Sequence, residues 1–150
     1  MITDPGLRML ESRRSVFDRL RKKKPPPLSG VPAARREKSY CAGSGYVYQY
    51  VYTGQRPAAY HRESGTEYVF DVTADRRVFF AVPVFVSDAA LEPWQAAQGR
   101  ELSATERYAV AKMALFQAFD ERRKPAEMRA IVRVRPADAK AILETLGIAE

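Results

Sequence analysis

The sequence is poor in the residues on which several classes of protein depend. Its 150 residues include one cysteine, Cys41, and one histidine, His61. A single cysteine forms no internal disulfide, and no secretory signal pattern is present, so we expect a cytoplasmic location. Zinc modules built from several Cys and His ligands are excluded, and we expect no metal or cofactor. The longest apolar run, Val78 to Val86, is far shorter than the ~18 residues of a membrane span.

Positive charge is concentrated in the first quarter of the chain. The sequence contains 25 Lys and Arg against 18 Asp and Glu, a net charge of +7. Residues 1–39 hold eleven of the bases and four of the acids, whereas residues 40–150 hold fourteen of each. The pattern predicts a basic N-terminal arm, residues 1–39, attached to an electrically neutral body.

The arm divides into two predicted parts. Residues 1–24 are predicted to form a basic amphipathic helix, because apolar residues recur at helical spacing and Pro5 suits a first turn. The apolar stripe contains Met9, Val16, Phe17 and Leu20. A basic cluster ends the helix and contains Arg21, Lys22, Lys23 and Lys24. Three prolines, residues 25–27, then terminate it, and residues 25–39 are predicted to be a Pro-rich basic linker.

The body, residues 40–150, is predicted to be a single α+β domain. Alternating patterns predict strands near residues 46–52, 66–72, 78–86 and 128–134, and Asp75–Arg77 is a predicted hairpin turn. Pro57 favours a loop over residues 54–61. Helical patterns follow near residues 88–97, from the Ser103–Glu106 capping box to residue 124, and after Pro136. We expect an antiparallel sheet of three to four strands with two to three helices packed on one face.

Four tyrosines at alternate positions of the first predicted strand form the most distinctive pattern. Alternate side chains share one face at roughly 6.6 Å intervals. If this face is exposed to solvent, it forms a platform on which unpaired bases stack. If the helices cover this face, the tyrosines form an aromatic wall of the core. The opposite face contains Gln49 and looks less like a primary core, which favours the wall. The tyrosines are Tyr46, Tyr48, Tyr50 and Tyr52.

Three arginines of the last predicted strand form a second candidate site. Arg129, Arg133 and Arg135 alternate with apolar residues, so they would share a solvent-facing side. Such guanidinium groups contact phosphates or carboxylates. The alternative is pairing with Glu67 and Asp71 of a neighbouring strand, which a neutral body favours.

The leading functional hypothesis is a non-enzymatic binding module whose basic arm contacts nucleic acid or another polyanion. Its binding residues would be the basic cluster, the tyrosines and the arginines named above. The main alternative is a protein–protein adaptor or assembly subunit that inserts Met9, Val16, Phe17 and Leu20 into a partner. Folding of the arm back onto the body, and contact with an anionic membrane surface, also remain open. A small enzyme built around His61, with Glu63 and Asp71, is the third hypothesis.

Overall fold

The computed structural model of this protein describes residues 25–148. The predicted helix of residues 1–24, with its apolar stripe and its basic cluster, lies outside these described residues. The elements follow in the order β1 (Lys38–Cys41), β2 (Val47–Tyr60), β3 (Glu63–Thr73), β4 (Phe80–Ser87), α1 (Asp88–Gln98), α2 (Ala104–Glu121), a 3-10 turn (Pro125–Arg129), β5 (Val132–Val134) and α3 (Pro136–Thr145).

The five strands form one curled sheet in the order β1-β2-β3-β4-β5, so the α+β class is confirmed. The prediction of three to four antiparallel strands is wrong in two respects. The four-residue β1 is too short to carry a periodic signal, and it adds a strand beside β2. β5 pairs with β4 in parallel, because α1 and α2 form a crossover connection between these two strands. Three helices are present in the described part of the chain, and none of them is long and apolar enough to cross a bilayer.

The predicted loop over residues 54–61 is also wrong, because β2 continues to Tyr60. Gly54 carries a β-bulge, with φ at +135°, where the register against β3 shifts. Pro57 pairs with Thr66 of β3, and no residue of β1 lies opposite it on the other side. Gln55, two residues earlier, directs its N–H away from β3 towards Ser29, so the nitrogen of Pro57 also faces away from β3 and its missing N–H removes no bond of the β2–β3 ladder. The hairpin turn lies at His61 and Arg62, whose φ angles are +51° and +67°.

The helices cover one face of the sheet and form the main core with it. α2 begins at the predicted capping box, in which Ser103 and Glu106 bond each other's backbone N–H groups. Its apolar face packs on β2, where the ring of Phe119 stacks on Tyr48 with centroids 4.3 Å apart. The aromatic stacking and complete burial of both side chains hold α2 against the sheet.

The segment before β1 lies along the sheet. Ser29 exchanges two backbone hydrogen bonds with Gln55, at 2.8 and 2.9 Å. A Cβ atom at Gly54 would lie only 2.9 Å from Leu28 Cβ, so glycine permits this close approach. Farther on, Arg35 forms an ion pair with Asp71 at 3.2 Å and lies over the ring of Phe79. The described part of the predicted linker is thus attached to β2 and β3.

The prediction of a strand over residues 128–134 is wrong for the first half of this range. Only Val132–Val134 is a strand, and Pro125–Arg129 is a 3-10 turn. Met128 is fully buried, as its apolar pattern suggests, but it reaches the core from this turn. A pattern of alternating apolar residues over so few positions does not distinguish a strand from a tight turn.

Candidate nucleic-acid interface

Two of the sequence-predicted binding residues meet at the end of the sheet that carries the β3–β4 turn. Tyr46 and Arg129 line one surface pocket of about 330 Å³, together with Phe80 and Val78. Tyr46 is 41% exposed and Val78 is 55% exposed. The guanidinium of Arg129 lies over the ring of Phe80, 4.4 Å from its centroid. The pocket thus combines an accessible aromatic ring with a planar cation held against a second ring.

The β3–β4 turn forms one wall of this pocket and follows from local side-chain chemistry. The Oδ1 atom of Asp75 accepts hydrogen bonds from the backbone N–H groups of Arg77 and Val78, at 2.8 and 3.0 Å. Thr73 Oγ1 accepts a further one from the N–H of Arg76 at 2.9 Å. The bonds from the N–H groups of Val78 and Arg77 lower the pKa of Asp75, so this carboxylate stays charged while its oxygen closes the turn. As a result, the side chains of Arg76 and Arg77 are exposed beside the pocket.

The opposite wall is fixed by Arg122, which follows the last residue of α2. Its guanidinium donates to the carbonyls of Glu127 at 3.0 Å, Ala130 at 2.8 Å and Ile131 at 2.9 Å. These three carbonyls bracket Arg129, so one side chain sets the path of the backbone that carries it. The fork geometry of arginine suits several carbonyls at once, and a lysine would not reproduce it. Sequence analysis assigned no role to Arg122.

The prediction of an exposed stacking platform formed by four tyrosines is wrong, because the two central tyrosines are buried. Tyr48 is 0% exposed and Tyr50 is 5% exposed, because α2 covers them. No nucleic-acid base can reach these two rings, so they form the aromatic core wall that was the favoured alternative. Tyr52 is half-buried and donates to Gln55 Oε1 at 2.9 Å, and burial raises its pKa to about 12. Of the four tyrosines, only Tyr46, which precedes β2 and lies beyond the cover of α2, presents an accessible ring.

The prediction that three arginines share one face of a strand is also wrong, because Arg129 belongs to the 3-10 turn and Arg135 precedes α3. Arg133 alone lies in β5, and it pairs with Glu63 at 3.5 Å. Arg135 pairs with Asp138, also at 3.5 Å.

The predicted partners of these arginines bind other groups. Glu67 accepts hydrogen bonds from Arg56 Nε at 3.1 Å and from the Tyr60 hydroxyl at 2.9 Å. Asp71 pairs with Arg35. The predicted pairing of Arg129, Arg133 and Arg135 with these two acids is therefore wrong, because the acids pair with arginines of other segments.

The residues of the enzyme hypothesis are not brought together. His61 is exposed at the tip of the β2–β3 hairpin, whereas Asp71 lies eight residues along β3 from Glu63. At about 3.3 Å per strand residue, this separates the two acids by roughly 26 Å. Within residues 25–148, no cluster of three His, Cys, Asp or Glu side chains could hold a metal ion.

Five bases of the electrically neutral body belong to, or directly precede, the two turns that form the walls of this pocket. Besides Arg76, Arg77 and Arg129, two further bases, Arg123 and Lys124, precede the 3-10 turn. Two of the nearby acids accept backbone hydrogen bonds: Asp75 closes its turn, and Glu127 Oε1 accepts from the N–H of Arg123 at 2.9 Å. The predicted tight turn was the sequence feature that could have identified Arg76 and Arg77 as accessible bases, because a tight turn exposes its charged residues.

Comparison of the chain with protein-family models, with curated proteins and with solved structures returned no match.

Proposed function

We propose that this protein is a non-enzymatic binding module for single-stranded nucleic acid. The observation that carries the proposal is the pocket in which exposed Tyr46 and the Arg129–Phe80 stack lie together. Aromatic rings and guanidinium planes stack on unpaired bases of any sequence. The pocket volume of about 330 Å³ also falls in the usual range for small-ligand sites.

Phosphate contacts would come from two sources. Arg76 and Arg77 extend from the β3–β4 turn beside the pocket and are exposed. The basic cluster Arg21–Lys24 of the arm would add further contacts along the strand. Such contacts give affinity without sequence preference, so the proposal predicts weak discrimination between sequences and strong dependence on salt.

The test measures binding of a labelled single-stranded oligonucleotide to the full chain across a salt series. Tyr46→Ala removes the accessible ring and should weaken binding by about 1–3 kcal/mol, which is about 5- to 150-fold in Kd. Arg76→Gln with Arg77→Gln should lower the slope of log K against log salt by ~0.7 for each phosphate that these arginines neutralise. Arg62→Gln is the matched control, because this exposed arginine lies at the opposite hairpin tip.

Duplex of the same sequence tests the role of stacking. Paired bases cannot enter the pocket, so Tyr46→Ala should leave duplex binding unchanged. Binding that survives Tyr46→Ala but disappears when Arg21–Lys24 are replaced by glutamine would assign the contact to the arm alone and refute the pocket as a site. No binding of any nucleic acid would refute the proposal and leave the adaptor hypothesis.

A further inference from the structure

The lining of the candidate nucleic-acid pocket contains a carboxylate, that of Asp75. Its Oδ1 atom accepts three hydrogen bonds, from the N–H groups of Arg77 at 2.8 Å and Val78 at 3.0 Å and from the Thr73 hydroxyl at 3.1 Å. Its Oδ2 atom accepts no hydrogen bond from the described residues, 25–148, and forms no ion pair with them. One oxygen therefore holds the turn, and the other is left to accept from a ligand.

This second oxygen is negatively charged at neutral pH. The hydrogen bonds from the backbone N–H groups of Val78 and Arg77 lower the pKa of Asp75, and the positive charge of Arg77 lowers it further. An ionised carboxylate accepts hydrogen bonds and donates none. The ligand group that fits Oδ2 is therefore one that presents N–H donors without an acceptor beside them.

The other polar side chains of the lining are planar groups. Tyr46 presents an accessible ring, and the guanidinium of Arg129 lies 4.4 Å from the ring centroid of Phe80. A nucleic-acid base that stacks on these groups uses its faces, which leaves its edge for a contact with Asp75. Asp75 is thus the charged acceptor that the pocket offers to the edge of a base.

Guanine differs from the other bases at its Watson–Crick edge. It presents the ring N1–H and the N2 amino group as two adjacent donors. Adenine and cytosine place their amino group beside a ring nitrogen that accepts, and thymine and uracil place one N–H between two carbonyls. An acceptor held against the carboxylate loses its hydrogen bond to water and gains none, which costs binding free energy.

We propose that the pocket selects guanine in a single strand, with Asp75 Oδ2 as the specificity-determining acceptor for guanine N1–H and the N2 amino group. This inference rests on the proposed function. The preference applies only to the base that occupies the pocket, because the phosphate contacts of the other nucleotides do not depend on sequence.

The test compares labelled oligothymidine with the same strand in which one thymine is replaced by guanine or by adenine, each bound to the full chain. The guanine strand should bind about fivefold or more tightly than oligothymidine, which is the lower limit for hydrogen-bonded recognition of one base edge. The adenine strand is the matched control, because adenine offers a two-ring surface for stacking and lacks the paired donors. It should bind less tightly than the guanine strand.

Asp75→Asn tests the acceptor and preserves the turn. The amide oxygen takes the place of Oδ1 in a turn that asparagine also favours, and the amide NH₂ group replaces the acceptor Oδ2 by a donor. The guanine and adenine strands should then bind equally. Asp88→Asn is the matched control, because Asp88 is exposed, follows the opposite end of β4 and gives the same change in net charge. This variant should keep the guanine preference.

The outcomes separate this inference from the function on which it rests. Equal affinity of the unaltered protein for the guanine and adenine strands, with Tyr46→Ala still weakening both, overturns the role of Asp75 and leaves the proposed function standing. A guanine preference that survives in Asp75→Asn overturns it as well. Displacement of the strand by guanosine monophosphate as effectively as by unlabelled guanine strand would assign the pocket to a free nucleotide and overturn the strand as its ligand. Failure of every strand to bind refutes the proposed function and this inference together.

Discussion

Replacement of Arg122 by methionine tests whether one side chain supports the wall of the candidate nucleic-acid site. The guanidinium donates three hydrogen bonds, of 3.0, 2.8 and 2.9 Å, to the carbonyls of Glu127, Ala130 and Ile131. A hydrogen bond contributes about 0.5–1.5 kcal/mol net, and water can replace the donor at the two exposed carbonyls. We therefore expect the free energy of unfolding to fall by about 2–4 kcal/mol, a large fraction of the stability of a small domain.

Equilibrium unfolding in urea measures this decrease as a lower midpoint at an unchanged m value. Arg123→Met is the matched control. Arg123 is the next residue, is exposed, and contributes a backbone N–H to Glu127, which the substitution retains. It should change stability by less than about 0.5 kcal/mol. We refer to the three hydrogen bonds from Arg122 to carbonyl groups as the clamp. Equal midpoints for the two variants would refute its stabilising role.

The same substitution should also weaken oligonucleotide binding, since the clamped carbonyls bracket Arg129. Arg122→Lys separates charge from geometry: it keeps the positive charge but lacks the planar fork. We expect its stability and affinity to lie closer to those of Arg122→Met than to those of the unaltered protein. Full affinity in Arg122→Met would show that the position of Arg129 does not depend on the clamp.

Two further predictions concern packing and pH. Gly65→Ala should destabilise the protein by about 1–3 kcal/mol or more, because a Cβ atom there would collide with the backbone of β4, 2.7 Å from Ser87 Cα. Gly43→Ala, whose Cβ would be 3.7 Å from the nearest atom, is the control in urea unfolding, and equal midpoints would contradict the steric argument. The hydrogen bond to Asp120 raises the pKa of Tyr40 to about 12, so its contribution to stability is complete below the unfolded pKa near 10 and is lost as pH rises through 12. Asp120→Asn should return the phenolate titration, followed by ultraviolet absorbance, towards pH 10; an unchanged titration would assign the shift to burial.

The correct predictions rest on interactions between neighbours in sequence. The Ser103–Glu106 capping box, the turn at Asp75 and the strand alternation around Tyr68 each depend on a few consecutive residues. For the same reason the α+β class could be predicted from the order of patterns alone. The errors at β1 and at the predicted strand over residues 128–134 concern elements of five residues or fewer, in which periodicity carries little information.

Residue order alone was sufficient to show that the arm holds the net charge and that the tyrosines alternate along a strand. It did not distinguish Tyr46 from Tyr48, because both occupy equivalent positions in the pattern. The difference between them arises from packing: α2, which begins 56 residues after Tyr48, covers Tyr48 and leaves Tyr46 accessible. The pocket between Tyr46 and Arg129 arises in the same way, since pairing of β4 with β5 and the hydrogen bonds of Arg122 bring together residues more than 80 positions apart.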